Sequence, residues 1–477
     1  MHKKYTKIVA SISDLRCDID FLQELYNEGM NVVRMNSAHL QYEGAVKIVN
    51  NVRAVSDKIA LLMDTKGPEV RTTGVDGDKI PLTTGDKIRV TGNPDRLSTK
   101  DCICVSYSDF VRELNVGNAI LFDDGEIELI VEEKHNDYLL CTVQNDGKLG
   151  SKKSVNVPAV SLNLPSLTDK DRMYIKFAIE YDLDFIAHSF VRNKRDLMDI
   201  QEILDEHNSQ IKIISKIENQ EGVDNIDEIL EHCYGVMIAR GDLGIEIPQE
   251  KIPGIQRRLI KKCVMAKKPV IVATQMLHTM IDNPRPTRAE VTDVANAIYY
   301  RTDAIMLSGE TAYGKYPVEA VRTMAQIAEE AEASKMPEND IPIPLEQNDI
   351  TSFLANAAVE ACKTVDSKAI INDSESGKTA RCLAAYRGEV PILAFCYNQR
   401  IMRELALSYG VFPEHRSKSD HYLQKGFEEL VKSGFLKEDD YICSLSGLYG
   451  SGGGSTSLYI NRANKIFQCS KCKQVAL

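Results

Sequence analysis

The stretch IKIISKIENQEG, residues 211–222, holds the main clue to the fold class, because its apolar alternation predicts a buried strand with a charged end. Side chains on a strand repeat with a period of two, so Lys216 and Glu218 should lie on the same face. A single pair of this kind is also what an ordinary structural salt bridge at a strand end looks like. Four other strand ends with the same spacing of polar groups favour a functional site.

Short β-branched runs alternate with amphipathic segments on both sides of this stretch, which is typical of βα units around a parallel sheet. A helical pattern follows each run, directly or after an insertion. Eight such units predict an α/β fold, a closed (β/α)8 TIM barrel. An open, doubly wound sheet is the structural alternative. The predicted strands are residues 6–12, 31–36, 59–65, 185–190, 211–218, 235–242, 269–276 and 304–310.

Two other regions have a different character and predict two further domains. Residues 68–155 are rich in Gly, Asp, Val and Thr with frequent turns, which predicts an inserted small β-barrel domain. Because it interrupts a strand-to-helix connection, it should lie as a lid over the C-terminal face of the barrel. A Pro- and acid-rich connector precedes residues 345–477, which predict a C-terminal α/β domain. The barrel is assigned to residues 1–67 and 156–340.

Composition limits the partners and the compartment. The chain has 477 residues and a net charge of −11, which argues against a nucleic-acid or membrane surface as partner, because both require dense basic patches. No run of about 18 apolar residues occurs, and the start lacks the apolar core of a signal peptide, so we expect a soluble cytoplasmic protein. The 12 cysteines are scattered and expected to be reduced, with a metal or redox role for Cys469 and Cys472 as the alternative.

The predicted strand ends gather polar side chains at the face where the active sites of such barrels lie. Besides Lys216 and Glu218 they are Arg34-x-Asn36, Asp64-x-Lys66, Arg240-x-Asp242, Ser308-x-Glu310, Ser189 and Thr274. Burying so many charges is costly unless they bind something. Arg and Lys suit a phosphoryl group, and carboxylates without a nearby His or Cys favour Mg²⁺ or Mn²⁺ over zinc. Phosphoryl transfer is therefore the predicted chemistry.

Lys216 also permits another reaction class. A Schiff base would require a depressed pKa, whereas Glu218 beside it should keep the lysine protonated, so a fixed cation is favoured over a nucleophile. Three classes stay open on these residues: a phosphotransferase, a barrel lyase that uses a Schiff base, and a protein that binds metabolites without turnover.

Long blocks of the sequence resemble the pyruvate kinase family. Between residues 6 and 321 they read TKIVAS, GMNVVRMN, LLMDTKGPEVRT, IISKIENQEGVDN, IARGDLGIEIP, ATQML, PRPTRAEVTDVANA and DAIMLSGETAYGKYPVEAV. The family combines a barrel, an inserted β-barrel lid and an effector-binding α/β domain. The resemblance implies transfer of the phosphoryl group of phosphoenolpyruvate to ADP, giving pyruvate and ATP in glycolysis. It further implies Mg²⁺ (or Mn²⁺) and K⁺ as cofactors and a homotetramer.

Carried over by position, the resemblance implies roles for residues that bind phosphoenolpyruvate and metals. Lys216 would stabilise the phosphoryl group in flight, and Arg34 would contact it. Gly241, Asp242 and Thr274 would form the pocket for the substrate carboxylate at a helix start. The divalent metal would be bound by Glu218 and Asp242. The ligands of K⁺ would be Asn36, Asp64 and Thr65, and Glu69 matches the potassium-requiring form of the family.

The resemblance also implies residues for ADP and for proton transfer. Arg34, Arg71 and Lys152 would reach nucleotide phosphates, and Ser308 and Glu310 would belong to the water network that protonates the enolate. The sequence departs from the family near the base, where Ser13 and Asp14 replace a Gly-Pro turn. It departs again at Ala38, which cannot supply the usual serine oxygen to K⁺. Ser37 should point away, so water or a shifted backbone is expected to replace that oxygen.

The segment NDSESGKTA, residues 372–380, lies between a predicted strand and helix and resembles the end of a P-loop. Asn372 stands where a full P-loop needs Gly, so a phosphate nest at a helix start and a plain polar loop are the alternatives. The family places its sugar-phosphate effector at a matching loop, which a later Gly-rich segment such as GSGGGS, residues 450–455, would close. The residues implied as effector ligands are Ser374, Ser376, Gly377, Lys378 and Thr379.

Overall fold

Residues 4–417, 423–447 and 455–465 are described by a computed structural model of the chain. Its strands, numbered along the chain, are β1 (Lys7–Ser11), β2 (Val32–Asn36), β3 (Ala60–Asp64), β4 (Val70–Arg71), β5 (Ile80–Leu82), β6 (Lys87–Thr91), β7 (Cys102–Cys104), β8 (Ala119–Phe122), β9 (Ile127–Lys134), β10 (Leu139–Val143), β11 (Gly147–Leu149), β12 (Ser154–Asn156), β13 (Phe185–His188), β14 (Lys212–Ile217), β15 (Gly235–Ala239), β16 (Val270–Ala273), β17 (Ala304–Leu307), β18 (Ile370–Ser374), β19 (Ile392–Cys396), β20 (Val411–His415), β21 (Tyr441–Ser446) and β22 (Ser457–Arg462).

The helices, numbered in the same way, are α1 (Ile19–Asn27), α2 (Tyr42–Val55), α3 (Phe110–Glu113), α4 (Asp169–Glu180), α5 (Lys194–Glu206), α6 (Gln220–Asp224), α7 (Ile226–His232), α8 (Arg240–Glu246), α9 (Ile252–Met265), α10 (Arg288–Tyr299), α11 (Gly309–Ala312), α12 (Pro317–Ala333), α13 (Ile350–Val365), α14 (Lys378–Ala385), α15 (Gln399–Glu404) and α16 (Leu423–Lys432). Short 3-10 turns lie at Gln249–Lys251, His278–Ile281, Pro337–Asn339 and Leu405–Leu407.

Eight parallel strands close into a barrel in the order β1-β17-β16-β15-β14-β13-β3-β2, which confirms the predicted (β/α)8 fold. Alternate side chains, such as Leu62 and Met237, fill its interior, and Leu407 packs against them in the same cluster. The remaining strand positions pack outward against the helices, as Ile186 and Val272 do. This alternation keeps the barrel core apolar and leaves polar groups to the strand ends.

Seven of the eight predicted barrel strands end earlier than expected, and after two of them a helix begins within two residues. β15 ends at Ala239 and α8 starts at Arg240, so Arg240 and Asp242 lie on a helix. Ser308 likewise precedes α11, which contains Glu310. The prediction that each of these two pairs shares a strand face is therefore wrong, because the chain turns into a helix directly after its last barrel residue.

The segment between β3 and α4 folds into β-structure with a separate core. Seven strands form a sheet in the order β4-β12-β8-β9-β10-β6-β7, and β11 pairs with β5. Most neighbours are antiparallel, and α3 is a single short turn. Phe110 and Phe122 are among the large side chains at its centre.

The C-terminal sheet has the order β20-β19-β18-β21-β22, and only β22 is antiparallel to its neighbour. The sequence analysis missed β20, whose Pro413 reads as a strand breaker. Proline is tolerated there because β20 is an edge strand of this sheet. Most of the segment GSGGGS, and both Cys469 and Cys472, lie outside the described residues.

Candidate active site

Lys216 lies in the barrel mouth with each of its three N–H groups directed at an oxygen. Its Nζ is 2.6 Å from Ser189 Oγ, 2.9 Å from Glu218 Oε1 and 3.1 Å from Asp64 Oδ1. Burial alone would lower the pKa of the ammonium, but Asp64 and Glu218 outweigh it and raise that pKa above its ordinary value. Lys216 is thus a permanent cation, as the sequence predicted, and its geometry argues against a Schiff-base nucleophile.

Arg34 is the second cation of the mouth and shares Asp64 with Lys216. Its Nε is 2.6 Å from Asp64 Oδ2, and Nη1 donates to Ser11 Oγ at 2.8 Å. Burial opposes ionisation of Asp64, yet the two cations together lower the pKa of its carboxyl group. Asp64 therefore holds both cations side by side at the strand ends, where an anionic substrate would meet them.

Glu218 and Asp242 provide the carboxylates expected for a divalent metal. Glu218 is buried, and its Oε2 accepts a hydrogen bond from Phe190 N at 2.6 Å. Burial raises the pKa of Glu218; Lys216 opposes that shift, and the Asp242 charge adds to it. Two carboxylates that repel each other across a polar mouth suit a hard divalent cation. In the described ranges, no group of three or more His, Cys, Asp or Glu side chains could hold a metal.

Thr274 lies beside the start of α8 in a strained backbone conformation. Its φ is +67°, in the left-handed region that a β-branched residue such as threonine rarely adopts. The next residue, Gln275, also has a positive φ, +54°. Thr274 Oγ1 accepts a hydrogen bond from Gly241 N at 2.8 Å and donates to its neighbour Ala273 O. The structure thus brings Thr274, Gly241 and Asp242 together at one helix start, as the resemblance implied.

Ser308 and Glu310 lie at the end of β17, but the glutamate is fully engaged. Glu310 is buried, with Oε2 accepting from Ser308 N at 2.7 Å and Oε1 from Leu277 N at 3.2 Å. Both carboxylate oxygens therefore hold backbone rather than face the mouth. This geometry indicates that Glu310 positions the backbone of Ser308. Of the two residues, the half-buried Ser308 is the more exposed to solvent.

Arg240 is engaged by neighbouring residues of the barrel rather than by the carboxylates that contact Lys216 and Arg34. Its guanidinium contacts Asp293 at 2.7 Å and donates to Thr274 O at 2.7 Å. Arg240 therefore supports the strained turn at Thr274 from behind.

Two of the three nucleotide residues implied by the resemblance, Arg71 and Lys152, lie on the inserted β-segment, whereas Arg34 lies on β2 of the barrel. Arg71 makes a two-pronged ion pair with Glu69, at 2.7 and 2.9 Å, and donates to Lys152 O at 2.7 Å. Lys66 contacts the same Glu69 carboxylate at 2.9 Å. Two cations therefore compensate the Glu69 carboxylate, and a requirement for potassium does not follow from its charge.

The residues implied for K⁺ lie together on neighbouring strands. Asn36 and Asp64 are register partners across β2 and β3, and Thr65 follows directly. Thr65 O accepts from Ser189 Oγ at 2.7 Å, and Asn36 Oδ1 accepts from Ala38 N at 3.1 Å. Ser37 Oγ is buried and has no hydrogen-bond partner in the described part of the chain.

A cleft of about 740 Å³ separates the inserted β-segment from the barrel mouth. Glu69 and Arg71 line one side, and Asp242 and Asn219 line the other. A space of this size accommodates a nucleotide-sized ligand. Of the residues predicted for phosphoenolpyruvate, Asp242 lines this cleft, and of those predicted for ADP, Arg71 lines it.

The predicted effector loop connects β18 to α14, far along the chain from the barrel mouth. Gly377 has φ +74°, and its N–H donates to Ser374 Oγ at 3.0 Å. Thr379 is buried, with its hydroxyl 3.0 Å from Ser455 Oγ, whereas Ser376 and Lys378 are exposed. Of the five predicted ligands, Ser376 and Lys378 are the most accessible side chains.

Sequence reasoning gave no role to several residues that order the mouth. Ser11 accepts from Arg34, and Asp171 Oδ1 accepts from the N–H groups of Lys66 and Gly67 at 2.9 and 3.2 Å. Ser189 was noted at a strand end without a function. Their position near a strand end is the one sequence feature that could have indicated a role. Contacts between different strands cannot be read from the spacing of residues along one strand.

A closed parallel barrel with two cations bridged by a carboxylate at its mouth, together with a nucleotide-sized cleft lined by Arg71 and Asp242, defines a barrel phosphotransferase. Comparison with known proteins narrows this class. A family model for the pyruvate kinase barrel domain matches residues 3–321, and one for the pyruvate kinase alpha/beta domain matches residues 352–460. The chain belongs to the pyruvate kinase family, and it transfers the phosphoryl group of phosphoenolpyruvate to ADP in glycolysis. This sets aside the lyase and the non-catalytic alternatives.

Individual relatives match over nearly the whole chain. A pyruvate kinase of Borreliella burgdorferi is 47% identical over 453 residues, which is 94% of each protein. A pyruvate kinase of Clostridium acetobutylicum is 38% identical and covers 95% of this chain and 98% of its own. The crystal structure of a pyruvate kinase from Cryptosporidium parvum has a TM-score of 0.90, 35% identity and 96% coverage of both chains. Within the described ranges, none of the helices is long and apolar enough to span a bilayer.

Proposed function

We propose that Lys216 and Arg34 offset the negative charge on the phosphoryl group while it passes from the enolate oxygen to ADP. The observation that carries this proposal is the Lys216 ammonium, held by three oxygens next to the Arg34–Asp64 pair. Fixed cations of this kind act mainly on charge that develops in the transition state. An assay with phosphoenolpyruvate, ADP, Mg²⁺ and K⁺, coupled to lactate dehydrogenase, tests the activity, and no pyruvate formation would contradict it.

Glu218 and Asp242 are the proposed ligands of the divalent metal, Mg²⁺ or Mn²⁺. When bound, the metal would bridge anionic oxygens and reduce their repulsion. The mutual repulsion of the two carboxylates, visible in the Glu218 pKa, supports this assignment. The substrate carboxylate would bind at Thr274 and the backbone of Gly241 and Asp242, where the start of α8 presents N–H groups.

Asn36, Asp64 and Thr65 are the proposed ligands of K⁺. Their adjacency across β2 and β3 supports the site, and Ala38 leaves it one side-chain oxygen short. Activity should therefore depend on K⁺, with water supplying the missing oxygen. Equal rates in K⁺ and tetramethylammonium buffers would contradict the assignment.

Arg34, Arg71 and Lys152 are the proposed contacts of the nucleotide phosphates. Arg71 is released for this role only if it leaves the Glu69 carboxylate, to which it is bound here. Ser308 would take part in protonating the enolate, with Glu310 holding the Ser308 backbone in place. Proton delivery to the enolate completes pyruvate after the phosphoryl group has left.

The remaining proposals concern regulation and organisation. Ser374, Ser376, Gly377, Lys378 and Thr379 would bind a sugar-phosphate effector. The three-domain division, with boundaries after residues 67 and 155 and a third domain from 345, is supported by the separate sheets of the fold. A cytoplasmic location and a homotetramer are proposed from family membership.

A further inference from the structure

The turn after β13 contacts two side chains of the proposed active site, Lys216 and Glu218. Ser189 is buried, and its Oγ is 2.6 Å from Lys216 Nζ and 2.7 Å from Thr65 O. The next residue, Phe190, has φ +55° and donates its N–H to Glu218 Oε2 at 2.6 Å. A non-glycine residue in this region is strained, and such strain is retained where surrounding contacts require it. The turn thus fixes an ammonium and a carboxylate from one short segment.

The three acceptors of Lys216 are not equivalent. Asp64 is shared with Arg34, and Glu218 is the proposed metal ligand, so both carboxylates have a second cation to satisfy. Ser189 is the one neutral acceptor among the three. Its hydroxyl donates to Thr65 O at 2.7 Å, with Asp64 Oδ1 as a longer second acceptor at 3.3 Å, so its lone pairs can accept from Lys216. A neutral acceptor orients the ammonium without cancelling the charge that a phosphoryl group requires.

We infer that Ser189 is a positioning residue for phosphoryl transfer, which aims the Lys216 ammonium into the barrel mouth by accepting one of its N–H groups. The inference rests on the proposed role of Lys216. It gives the hydroxyl at position 189 a function beyond stabilising the fold. Removal of the hydroxyl leaves the ammonium charged but held by its two carboxylates alone, so turnover falls while substrate binding changes little.

The first test compares three single variants by steady-state kinetics with varied phosphoenolpyruvate. Ser189→Ala should lower kcat about 10- to 100-fold and change KM less than about threefold. Ser189→Thr keeps the hydroxyl and should retain at least about a third of wild-type kcat. Ser215→Ala is the matched control, because Ser215 is a buried serine next to Lys216 whose hydroxyl has no partner in the described ranges. It should behave as wild type.

The second test asks whether Ser189 acts through Lys216. In a Lys216→Met background, Ser189→Ala should lower kcat by less than about twofold, since the group that it positions is gone. A merely structural role would give the same loss in both backgrounds. Such additivity would overturn the inference, as would a Ser189→Ala kcat within about twofold of wild type or a failure of Ser189→Thr to restore activity.

Two further outcomes are informative. If Ser189→Ala does not fold, Ser189→Cys decides, because a thiol of similar shape is a weak acceptor and should also lower kcat. Misfolding of both, with Ser215→Ala intact, would assign Ser189 a structural role and overturn the inference. Full activity of Lys216→Met would overturn the proposed function and this inference together. Loss of activity in Lys216→Met with none in Ser189→Ala overturns only the positioning role.

Discussion

At the scale of single residues, we expect the largest loss of activity from replacing Lys216. Lys216→Met should lower kcat by about two to four decades, corresponding to ~3–5 kcal/mol of transition-state stabilisation, because a fixed cation acts on charge that develops during transfer. It should raise KM much less. The coupled lactate dehydrogenase assay measures both constants.

The matched control for this variant lies on the same strand. Lys212 is at the opposite end of β14, where its Nζ is 3.8 Å from Glu404, so Lys212→Met should keep wild-type kcat. Lys216→Met should also lower the melting temperature, because Glu218 is left buried without its cation. Retention of more than about a tenth of kcat would remove Lys216 from the mechanism.

At the scale of elements, the packing of the β3 end against the β13 turn depends on Gly67. Its φ is +71°, and an added Cβ would lie 2.8 Å from Ser189 Cβ and 2.9 Å from Phe190 Cδ2. Gly67→Ala should therefore displace the turn that holds Lys216 and Glu218, and it should lower both the melting temperature and kcat. Thermal unfolding and the coupled assay on the same preparation measure the two effects.

A second glycine separates backbone strain from this clash. Gly117 also has positive φ, +90°, but nothing lies within 4 Å of its added Cβ. Gly117→Ala should cost only about 1 kcal/mol of strain and leave kcat unchanged. If Gly67→Ala and Gly117→Ala had the same kcat and the same melting temperature, the close contact at Gly67 would affect neither activity nor stability.

The comparison of these elements also shows how far sequence reasoning reaches. Alternating apolar strands predicted the barrel because burial on a strand repeats locally, and Lys216 and Glu218 indeed share a face. Arg240 and Asp242 have the same spacing but lie on α8. The prediction failed for this pair because spacing alone does not reveal where a strand ends. The Lys216–Asp64 pair and the Glu69–Arg71 pair became visible only in three dimensions, since both depend on side-chain directions at the mouth.

At the scale of the whole molecule, Lys7 joins the barrel to the C-terminal sheet. Its Nζ donates to Val411 O at 2.5 Å and lies 4.6 Å from the centre of the Phe412 ring. Burial and the nearby Lys4 charge lower the pKa of Lys7 to about 7, against the opposing charges of Glu332 and Asp303. The unfolded chain therefore binds this proton more tightly between about pH 7 and 10.5, and the folded state gains stability as pH rises through that range.

Lys7→Met removes the titrating ammonium and with it the cost of burying that charge below about pH 7. The variant should therefore be more stable than wild type at low pH, and this difference should shrink as pH rises. The melting temperature of Lys7→Met minus that of wild type should be larger near pH 6.5 than near pH 9.5. Lys58→Met is the control. Lys58 is exposed, and its Nζ lies 3.9 Å from Glu414 Oε1 on β20, the strand that Lys7 also contacts. A difference that is constant with pH would show that Lys7 does not titrate in this range.

The proposed effector loop is connected to the barrel through α14, which starts at Lys378. Arg381 on this helix donates to Ser376 O at 3.3 Å, and its guanidinium lies 5.2 Å from the centre of the Tyr234 ring. Tyr234 immediately precedes β15, whose other end leads to Gly241 and Asp242. A ligand that moves this helix can thus alter the substrate pocket, provided that it prefers one of two arrangements of the contact.

A phosphorylated sugar should therefore lower the KM for phosphoenolpyruvate, by about 5- to 150-fold for a coupling of ~1–3 kcal/mol. The assay compares fructose bisphosphate, ribose 5-phosphate, glucose 6-phosphate and inorganic phosphate. Lys378→Met should weaken effector binding, because it removes an exposed cation from the loop. Lys363→Met is the control on neighbouring α13, where Lys363 pairs with Glu360, and it should respond as wild type.

Arg381→Met separates binding from coupling. It leaves Ser376 and Lys378 in place but removes the cation over Tyr234, so the sugar phosphate should still bind, as titration calorimetry would measure, while its effect on KM falls. Lost binding would place Arg381 in the effector site instead, and an unchanged KM response would exclude this contact from the coupling. If none of the four compounds shifts the saturation curve of wild type, residues 374–379 are not an effector site. Linkage makes the test reciprocal: phosphoenolpyruvate should tighten sugar-phosphate binding by the same factor in wild type and by less in Arg381→Met.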